Sequence, residues 1–229
     1  MGHMPSTLDF AAAAALPLTT ITAWELLFER LSVPIGKKAT GDHLLIIGAA
    51  GGVGSILTQL ARRLTSLNVI GTASRPETTA WVKELGAHHV LDHRQPLAAA
   101  LARIGVPAVE YVASLTHTDS YLEQIRDVLA PQGKFGLIDN VKNLDLSMFM
   151  AKSISIHWEL MFTRSLFGTR DIAEQHALLT EAGKLVDAGV LRTTLTESLG
   201  TIDAANLRRA HALIESGKAR GKLVLARWA

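Results

Sequence analysis

Short apolar runs alternate with longer amphipathic stretches along most of this chain. Leu44 to Ile47 is a continuous apolar run that leads into the glycine cluster 48–54, and helical spacing then relates Ile56, Leu57, Leu60, Ala61 and Leu64. Buried parallel strands read as near-continuous apolar runs. The pattern therefore predicts a strand, a tight turn and a helix over residues 44–64.

The same alternation continues toward the C-terminus. Further strands are predicted at 68–74, 88–92, 108–115 and 134–139. Helices are predicted at 76–85, at 97–104 and after Asp119, which we expect to cap its helix. Strands that alternate with helices of about ten residues are typical of a doubly wound parallel sheet. We therefore expect an α/β protein with a Rossmann fold.

Both ends of the chain depart from this alternation. Residues 8–17 are predicted to form a linker, and a helix from about Thr19 follows, with Trp24, Leu27, Phe28 and Leu31 on one stripe. After the sheet, helices are predicted at 172–186 and after Asp203, which should cap the last one. A short strand at 222–226 ends the pattern.

A sixth strand is predicted at 153–162, where apolar and polar residues alternate. Large apolar residues occupy the even positions from Ile154 to Phe162, and the odd positions include His157 and Glu159. Strict alternation indicates one buried face and one partly wet face, as found near a sheet edge. Because no proline or lysine lies between 153 and 162 to block pairing, we expect a homodimer through this edge strand.

Composition excludes several classes of protein. The chain has 229 residues, 48% of them hydrophobic, and its 23 basic and 21 acidic residues are not clustered, which argues against nucleic acid as a partner. The alanine run 11–15 is too short to span a membrane, so no membrane partner is expected. The absence of cysteine fits a reducing cytoplasm. Residues 1–4 resemble an expression-vector remnant.

The glycine cluster is the first candidate binding site. A glycine-rich turn between a strand and a helix lets the backbone approach a pyrophosphate at the helix N-terminus. The strict G-x-G-x-x-G fingerprint is met only as A-x-G-G-V-G, because Ala49 holds the first glycine position. We expect dinucleotide contacts from Ala50, Gly51, Gly52, Val53 and Gly54.

The end of the second predicted strand indicates which dinucleotide is bound. An NAD site has Asp or Glu there to bind the ribose 2′-OH, whereas this chain has Ser74 and Arg75. A hydroxyl and a guanidinium suit a 2′-phosphate, which predicts NADPH as the cofactor. The alternative is that Arg75 is a solvated loop residue ahead of the helix that begins at Pro76.

Taken together, these segments resemble the medium-chain dehydrogenase/reductases, and more narrowly the zinc-type alcohol dehydrogenase-like branch close to the quinone oxidoreductases. The resemblance extends from about Ala11 to the C-terminus. It rests on LPLTTITAWE from 16, GAAGGVGS at 48–55, TASRPE at 72–77, LGAHHVLDH at 85–93, LAPQGKFGLID at 129–139, SISIHWELMFTRS at 153–165 and ESGKARGKLVL at 215–225.

The resemblance implies a division of the chain into parts of two domains. Residues 17–191 would form the NADP-binding Rossmann domain, and residues 1–16 would be a vector remnant and interdomain linker. Residues 192–229 would return to a GroES-like catalytic domain whose long N-terminal part lies outside this chain. In this family, edge-to-edge pairing of two Rossmann sheets is common, which agrees with the expected homodimer.

The resemblance also implies further cofactor contacts. Backbone groups after the fourth and sixth strands would position the nicotinamide, here Leu115 and Thr116, and Met161 and Phe162. Thr22 matches a family threonine at the cofactor cleft, although a threonine within a helix is more often structural. Lys218 and Lys222 could reach a phosphate, but solvated lysines are the simpler interpretation.

No zinc site is predicted in this chain. The zinc-dependent members of the family use cysteine thiolates and a histidine, and the chain contains no cysteine. His88, His89 and His93 are closely spaced, but adjacent residues of a strand point to opposite faces, so they form no preformed tetrahedral set.

Two other nucleotide-binding families are excluded by their motifs. Short-chain dehydrogenases need Tyr-x-x-x-Lys, but Leu115 and Ile125 follow Tyr111 and Tyr121 at that spacing. P-loop proteins need G-x-x-x-x-G-K-[ST], which is absent. The resemblance implies an oxidoreductase that transfers a hydride to a quinone, an enal or a similar small-molecule carbonyl. A non-catalytic NADPH-binding or redox-sensing module is the alternative, because fold alone does not fix function.

Overall fold

A six-stranded parallel sheet forms the centre of the computed structural model, which describes residues 2–36, 41–142 and 144–228. The sheet order is β3-β2-β1-β4-β5-β6, and every pair is parallel. The strands are β1 (His43–Ile47), β2 (Asn68–Thr72), β3 (His89–Leu91), β4 (Val109–Ser114), β5 (Leu129–Leu137) and β6 (Ser155–Trp158). This order is that of the doubly wound dinucleotide-binding fold, so the predicted fold class is confirmed.

Helices cover both faces of the sheet and bury two apolar cores. One core packs Leu44 and Ile46 of β1, and the other packs Leu45 and Ile47, as the two-residue period of a strand requires. The helices are α1 (Phe10–Ala14), α2 (Pro17–Trp24), α3 (Gly52–Leu64), α4 (Pro76–Glu84), α5 (Leu97–Arg103), α6 (Leu122–Val128), α7 (Thr163–Phe167), α8 (Glu174–Asp187) and α9 (Ala204–Glu215).

The N-terminal segment is helical where a linker was predicted. Asp9 caps α1 by accepting a hydrogen bond from the Ala12 N–H, and α2 begins at Pro17 and runs on into a π-helical turn, Glu25–Arg30. The stretch Phe10–Arg30 is long and apolar enough by composition to cross a membrane, but 61% of its apolar window is buried inside the protein. Packing of Leu26, Leu27 and Leu31 into the core accounts for that apolarity.

Two predicted boundaries around β5 are wrong. Asp119 lies in a short 3₁₀ turn, Thr118–Ser120, and α6 starts after Tyr121, so Asp119 does not cap that helix. β5 begins at Leu129, directly after α6, rather than at Lys134. Gln132 adopts a left-handed φ of 64° between Pro131 and Gly133, so these turn residues lie inside the strand instead of before it.

The edge strand β6 is shorter than predicted, and the apolar residues at and beyond its end are exposed whereas the polar residue Glu159 is buried. Only Ser155–Trp158 pairs with β5, whereas ten residues were expected. Glu159, predicted on the wet face, is 2% exposed, while Trp158, Leu160 and Phe162 are each about half exposed. Glu159 faces the helix that precedes β1, where it pairs with Arg30, so the prediction of a buried apolar face beyond Ile156 is wrong.

The C-terminal segment forms a second, two-stranded parallel sheet of β7 (Leu195–Ser198) and β8 (Lys222–Val224). Asp203 caps α9 by accepting from the Asn206 N–H, as predicted. Gly221 N–H donates to Ala50 O at 2.8 Å, and Arg192 N–H donates to Gln59 Oε1 at 2.9 Å. The segment is therefore hydrogen-bonded to the first turn and helix of the large sheet.

Candidate functional site

A cleft of 570 Å³ opens at the carboxyl edge of the sheet. The loops after β1, β2, β3 and β4 form its floor, and the C-terminal segment forms one wall. The chain reverses its direction of winding between β1 and β4, and ligands of such sheets bind at this switch point. The cleft is therefore the candidate binding site.

The glycine turn forms the bottom of the cleft, and its geometry explains its glycines. Gly48 has a φ of 83°, which only glycine adopts readily, and its N–H donates to Thr72 Oγ1 at 3.1 Å. Sequence reasoning assigned the first turn position to Ala49, but Gly48 makes the turn. A Cβ at Gly54 would meet Ala49 Cα at 2.6 Å, so Gly54 allows the helix to approach the strand.

Helix α3 begins at this turn and points its N-terminus into the cleft. Gly51 precedes it with extended backbone and has no side chain to cap it. A Cβ at Gly52 would meet Lys222 Cδ at 2.8 Å and Thr19 Cγ2 at 3.1 Å. All five predicted residues from Ala50 to Gly54 line the cleft, where a helix N-terminus favours an anion.

Ser74 and Arg75 lie together at the end of β2 and also line the cleft. The Arg75 guanidinium donates to Glu77 Oε1 at 2.7 Å, to Gly217 O at 3.1 Å and to Lys218 O at 2.7 Å. The pKa of the Glu77 carboxyl is lowered, first by a backbone hydrogen bond and then by Arg75. The guanidinium therefore bridges β2 to the loop that follows α9.

Several cleft residues were not predicted from the sequence. His93 follows β3, His117 and Tyr121 follow β4, and all three line the cleft. Burial lowers the pKa of His93 from its usual value, and the charges of Arg94, Arg75 and His117 lower it further, although Asp92 opposes them. All three residues follow the ends of predicted strands, and this position in the sequence could have indicated that they lie at the cleft.

Lys222 is another cleft residue that was not expected from the sequence, which favoured a solvated lysine. It lines the cleft beside Gly52 and is half-buried, whereas Lys218 is exposed as expected. Its backbone N–H donates to Thr194 O at 2.8 Å, which fixes the start of β8 beside the glycine turn. Lys222 is thus a cation next to the N-terminus of α3.

The structure does not bring every predicted site residue to the cleft. Leu115 and Thr116 line it, but Thr22, Met161 and Phe162 do not. The Thr22 hydroxyl is buried and donates to Leu18 O at 3.1 Å, so the structural interpretation fits it, and Thr19 faces the cleft one turn earlier. Met161 O accepts from Gln175 Nε2 at 2.7 Å, and the Phe162 side chain is 49% exposed.

A nicotinamide dinucleotide and a zinc ion are the two groups that such a fold could hold, and only the dinucleotide fits the described residues of this chain. A dinucleotide fits the glycine turn, because a Cβ at Gly48 would meet Thr116 Cγ2 at 2.9 Å and a Cβ at Gly52 would meet Lys222 Cδ at 2.8 Å, so only glycine leaves the backbone of this crowded turn accessible. Zinc does not fit, because within residues 2–36, 41–142 and 144–228 no three His, Asp or Glu side chains form a metal-binding group. We therefore derive no chemistry of this chain from a metal.

Comparison with known proteins gives a consistent result. The zinc-binding dehydrogenase family profile matches residues 85–225. A zinc-type alcohol dehydrogenase-like protein of Staphylococcus aureus is 36% identical over 223 residues, which are 96% of this chain and 66% of that protein. A human mitochondrial NAD(P)H oxidoreductase is 24% identical over 98% of this chain and 58% of its own length.

A crystal structure from Rhizobium etli CFN 42, described as a zinc-dependent alcohol dehydrogenase protein, is also similar. It is 56% identical with a TM-score of 0.93, over 100% of this chain and 67% of that one. This chain spans about two thirds of the length of these relatives. The fold, the cleft and these matches place the chain in the zinc-binding dehydrogenase family of the medium-chain dehydrogenase/reductases, as its nicotinamide-cofactor-binding part.

Proposed function

We propose that this chain binds NADPH and belongs to an enzyme that transfers a hydride to a quinone, an enal or a similar conjugated carbonyl. The observation that carries this proposal is the position of Ser74 and Arg75. Both line the cleft that the glycine turn forms, at the end of β2, where an NAD site would have a carboxylate. A guanidinium in that place favours a 2′-phosphate.

Each part of the cleft has a role in this proposal. The N–H groups at the start of α3, together with the Lys222 ammonium, would bind the pyrophosphate. Ser74 and Arg75 would bind the 2′-phosphate, and the backbone at Leu115 and Thr116 would orient the nicotinamide. The cofactor supplies the hydride, so this chain contributes binding and orientation.

Arg75 must exchange partners to bind a phosphate. Its guanidinium already contacts Glu77 and two carbonyl oxygens, so a bidentate phosphate contact would displace at least one of them. The Arg75 and Glu77 side chains are 34% and 55% exposed, and an ion pair exposed to this extent is screened by water and adds little to stability. The exchange is therefore inexpensive.

Two observations support the proposed oxidoreductase activity: membership of the zinc-binding dehydrogenase family and the NAD(P)H oxidoreductase among the relatives. The quinone or enal substrate rests on the family resemblance described above. We propose that the groups that select this substrate belong to the GroES-like part of the enzyme, outside this chain. We place the protein in the cytoplasm, because its cysteine-free sequence suits a reducing compartment.

We also propose a homodimer through β6. This strand is at the open edge of the sheet, and exposed apolar side chains lie at its end, Trp158, and just after it, Leu160 and Phe162. A two-fold pairing of these edges would satisfy their unpaired backbone groups and cover that apolar surface.

Calorimetric titration tests the cofactor assignment. We expect NADPH to bind more tightly than NADH, and Arg75→Ala to weaken NADPH selectively. A charge-assisted hydrogen bond contributes about 1.5–3 kcal/mol, roughly ten- to a hundredfold in affinity. Arg94→Ala is the control, since Arg94 is 67% exposed and pairs with Asp92. Equal affinities for both cofactors, or equal losses in Arg75→Ala, would refute the assignment.

A further inference from the structure

A group of charged side chains, three of them buried, lies away from the cofactor cleft, between the helix that precedes β1 and the end of β6. We call it the acid cluster: Glu25, Glu29, Arg30, Glu159, Arg164 and Asp171. Glu25, Glu159 and Arg164 are 0%, 2% and 5% exposed. None of the six lines the cleft, and the proposed cofactor chemistry does not use them.

Arg164 joins three of the carboxylates. Its guanidinium donates to Glu25 Oε1 at 2.7 Å, to Glu29 Oε2 at 2.7 Å and to Asp171 Oδ2 at 2.9 Å. Burial alone would lower the pKa of Arg164, but these hydrogen bonds raise it, so the guanidinium stays charged. The Arg30 Nε–H donates to Glu159 Oε2 at 2.8 Å.

Among the described residues, Glu25 Oε2 and Glu159 Oε1 are buried carboxylate oxygens without a hydrogen-bond partner, and Glu25 Oε2 lies 4.0 Å from Arg30 Nη2. The cluster also holds four carboxyl groups against two guanidiniums. A buried carboxylate oxygen without a partner is costly, and two ionised carboxylates cannot share a water-poor site. One additional proton between the two residues would remove both problems.

We propose that Glu25 and Glu159 share one proton at neutral pH, with the Glu159 Oε1–H group donating to Glu25 Oε2. Each orphan oxygen then gains its partner, and the cluster carries one negative charge fewer. Consistent with this arrangement, burial first, and then the hydrogen bond and charge of Glu25, raise the pKa of Glu159 to about 8, although Arg30 opposes the shift.

The surrounding groups do not neutralise the pair in another way. His157, on the same face of β6, has its pKa lowered by burial and by the charges of Lys134 and Arg30. It is therefore uncharged at neutral pH. The ammonium group of Lys134, on β5, donates a hydrogen bond to Leu31 O at 2.8 Å. In the part of the chain that the structure describes, the cations that pair with the carboxyl groups of the acid cluster are Arg30 and Arg164.

The shared proton positions the loop after β6. Gln175 Nε2 donates both to Glu25 Oε1 at 3.0 Å and to Met161 O at 2.7 Å. Glu159 holds the start of the same loop, since its N–H donates to Leu137 O at 2.9 Å. Loss of the proton would place two like charges between these attachments. Glu25, Glu159 and Gln175 are therefore positioning residues for the loop after β6.

Spectroscopy of the whole 229-residue chain without cofactor tests the shared proton. With ¹³C-labelled glutamate, we expect one protonated glutamate carboxyl at pH 7 that ionises near pH 8 and is absent from Glu159→Gln. Glu215→Gln, at an exposed position, is the control and should keep the signal. A wild-type spectrum with only ionised glutamates at pH 7 would overturn the proposal, even if Glu159→Gln did not fold.

Two further readouts test what the proton does. The Met161 and Phe162 amide resonances should shift with the same midpoint as the carboxyl in the wild type and not in Glu159→Gln. The melting temperature should fall as pH rises from about 4.5 to about 8 and level off above that, because in this window the unfolded chain has lost the Glu159 proton that the folded protein still holds. Glu159→Gln should lose this dependence. If the amide shifts or the melting temperature do not change with the ionisation of the Glu159 carboxyl, the positioning role is contradicted. No readout involves NADPH, so failure of the cofactor assignment leaves the result intact.

Discussion

Trp81 donates its indole N–H to Ser55 Oγ at 2.8 Å, so α4 is hydrogen-bonded to the first turns of α3. Both side chains are buried. The Arg192 and Arg220 guanidiniums lie 5.0 and 5.6 Å from the indole ring centre. One tryptophan thus connects two helices of the large sheet with the C-terminal segment.

Trp81→Phe should destabilise the protein by about 1–2 kcal/mol, because it removes a buried hydrogen bond and weakens the arginine contacts. Urea unfolding measures the loss. Trp228→Phe is the matched control, since Trp228 is 80% exposed, and it should change stability by less than about 0.5 kcal/mol. Equal effects of the two substitutions would contradict this role of Trp81.

The glycine turn predicts different results at two neighbouring glycines. Gly54→Ala places a Cβ against the backbone of Gly48 and Ala49, so we expect a loss of about 1–3 kcal/mol in unfolding free energy. Gly52→Ala meets mainly the flexible Lys222 side chain, so the protein should stay folded but bind NADPH more weakly. Urea unfolding and calorimetry separate the two effects, and a Gly54→Ala protein of wild-type stability would contradict the packing argument.

Ile156→Pro should convert the proposed dimer into a monomer that keeps its fold. Glu159 N–H points to Leu137 of β5, and alternate residues of a strand point their N–H groups to opposite sides. The Ile156 N–H therefore faces the open edge, and proline would remove it without breaking the β5 ladder. Light scattering at micromolar concentration measures the change. A monomeric wild type would refute the dimer.

The chain alone should bind NADPH without oxidising it in the presence of quinones or enals. Its cleft has walls from the Rossmann part and the C-terminal segment, and positioning of the substrate is most of what such an enzyme supplies. A spectrophotometric assay over a panel of quinones and enals checks this. Turnover by this chain would show that the substrate site lies within it.

The sequence predicted the features that depend on local chemistry. The apolar runs of β1 and β2, the glycines between β1 and α3, and the Asp203 cap follow from short-range rules, and the structure agrees with them. The placement of Ser74 and Arg75 in the cleft follows as well, because the carboxyl ends of parallel strands share one edge.

The features that the sequence did not predict depend on contacts between distant segments of the chain. Glu159 is buried because Arg30, 129 residues earlier, pairs with it, and alternation within β6 carried no sign of that partner. Lys222 lies beside Gly52 because β8 starts at the glycine turn, whereas its local sequence resembles a solvated tail. Thr19 rather than Thr22 faces the cleft because of the rotation of α2, which its packing against α3 and α8 decides.

The hydrogen bond from Gly221 to Ala50 has a consequence for biosynthesis. Synthesis runs from the N-terminus, so β2 and β4, the partners of β1 in the sheet, are made early. Gly217, Gly221 and Lys222, which contribute a wall of the cleft, are made after every strand of the large sheet. A growing chain therefore holds all six strands of its sheet before its nucleotide cleft is complete, so cofactor capture follows assembly of the sheet and does not assist it.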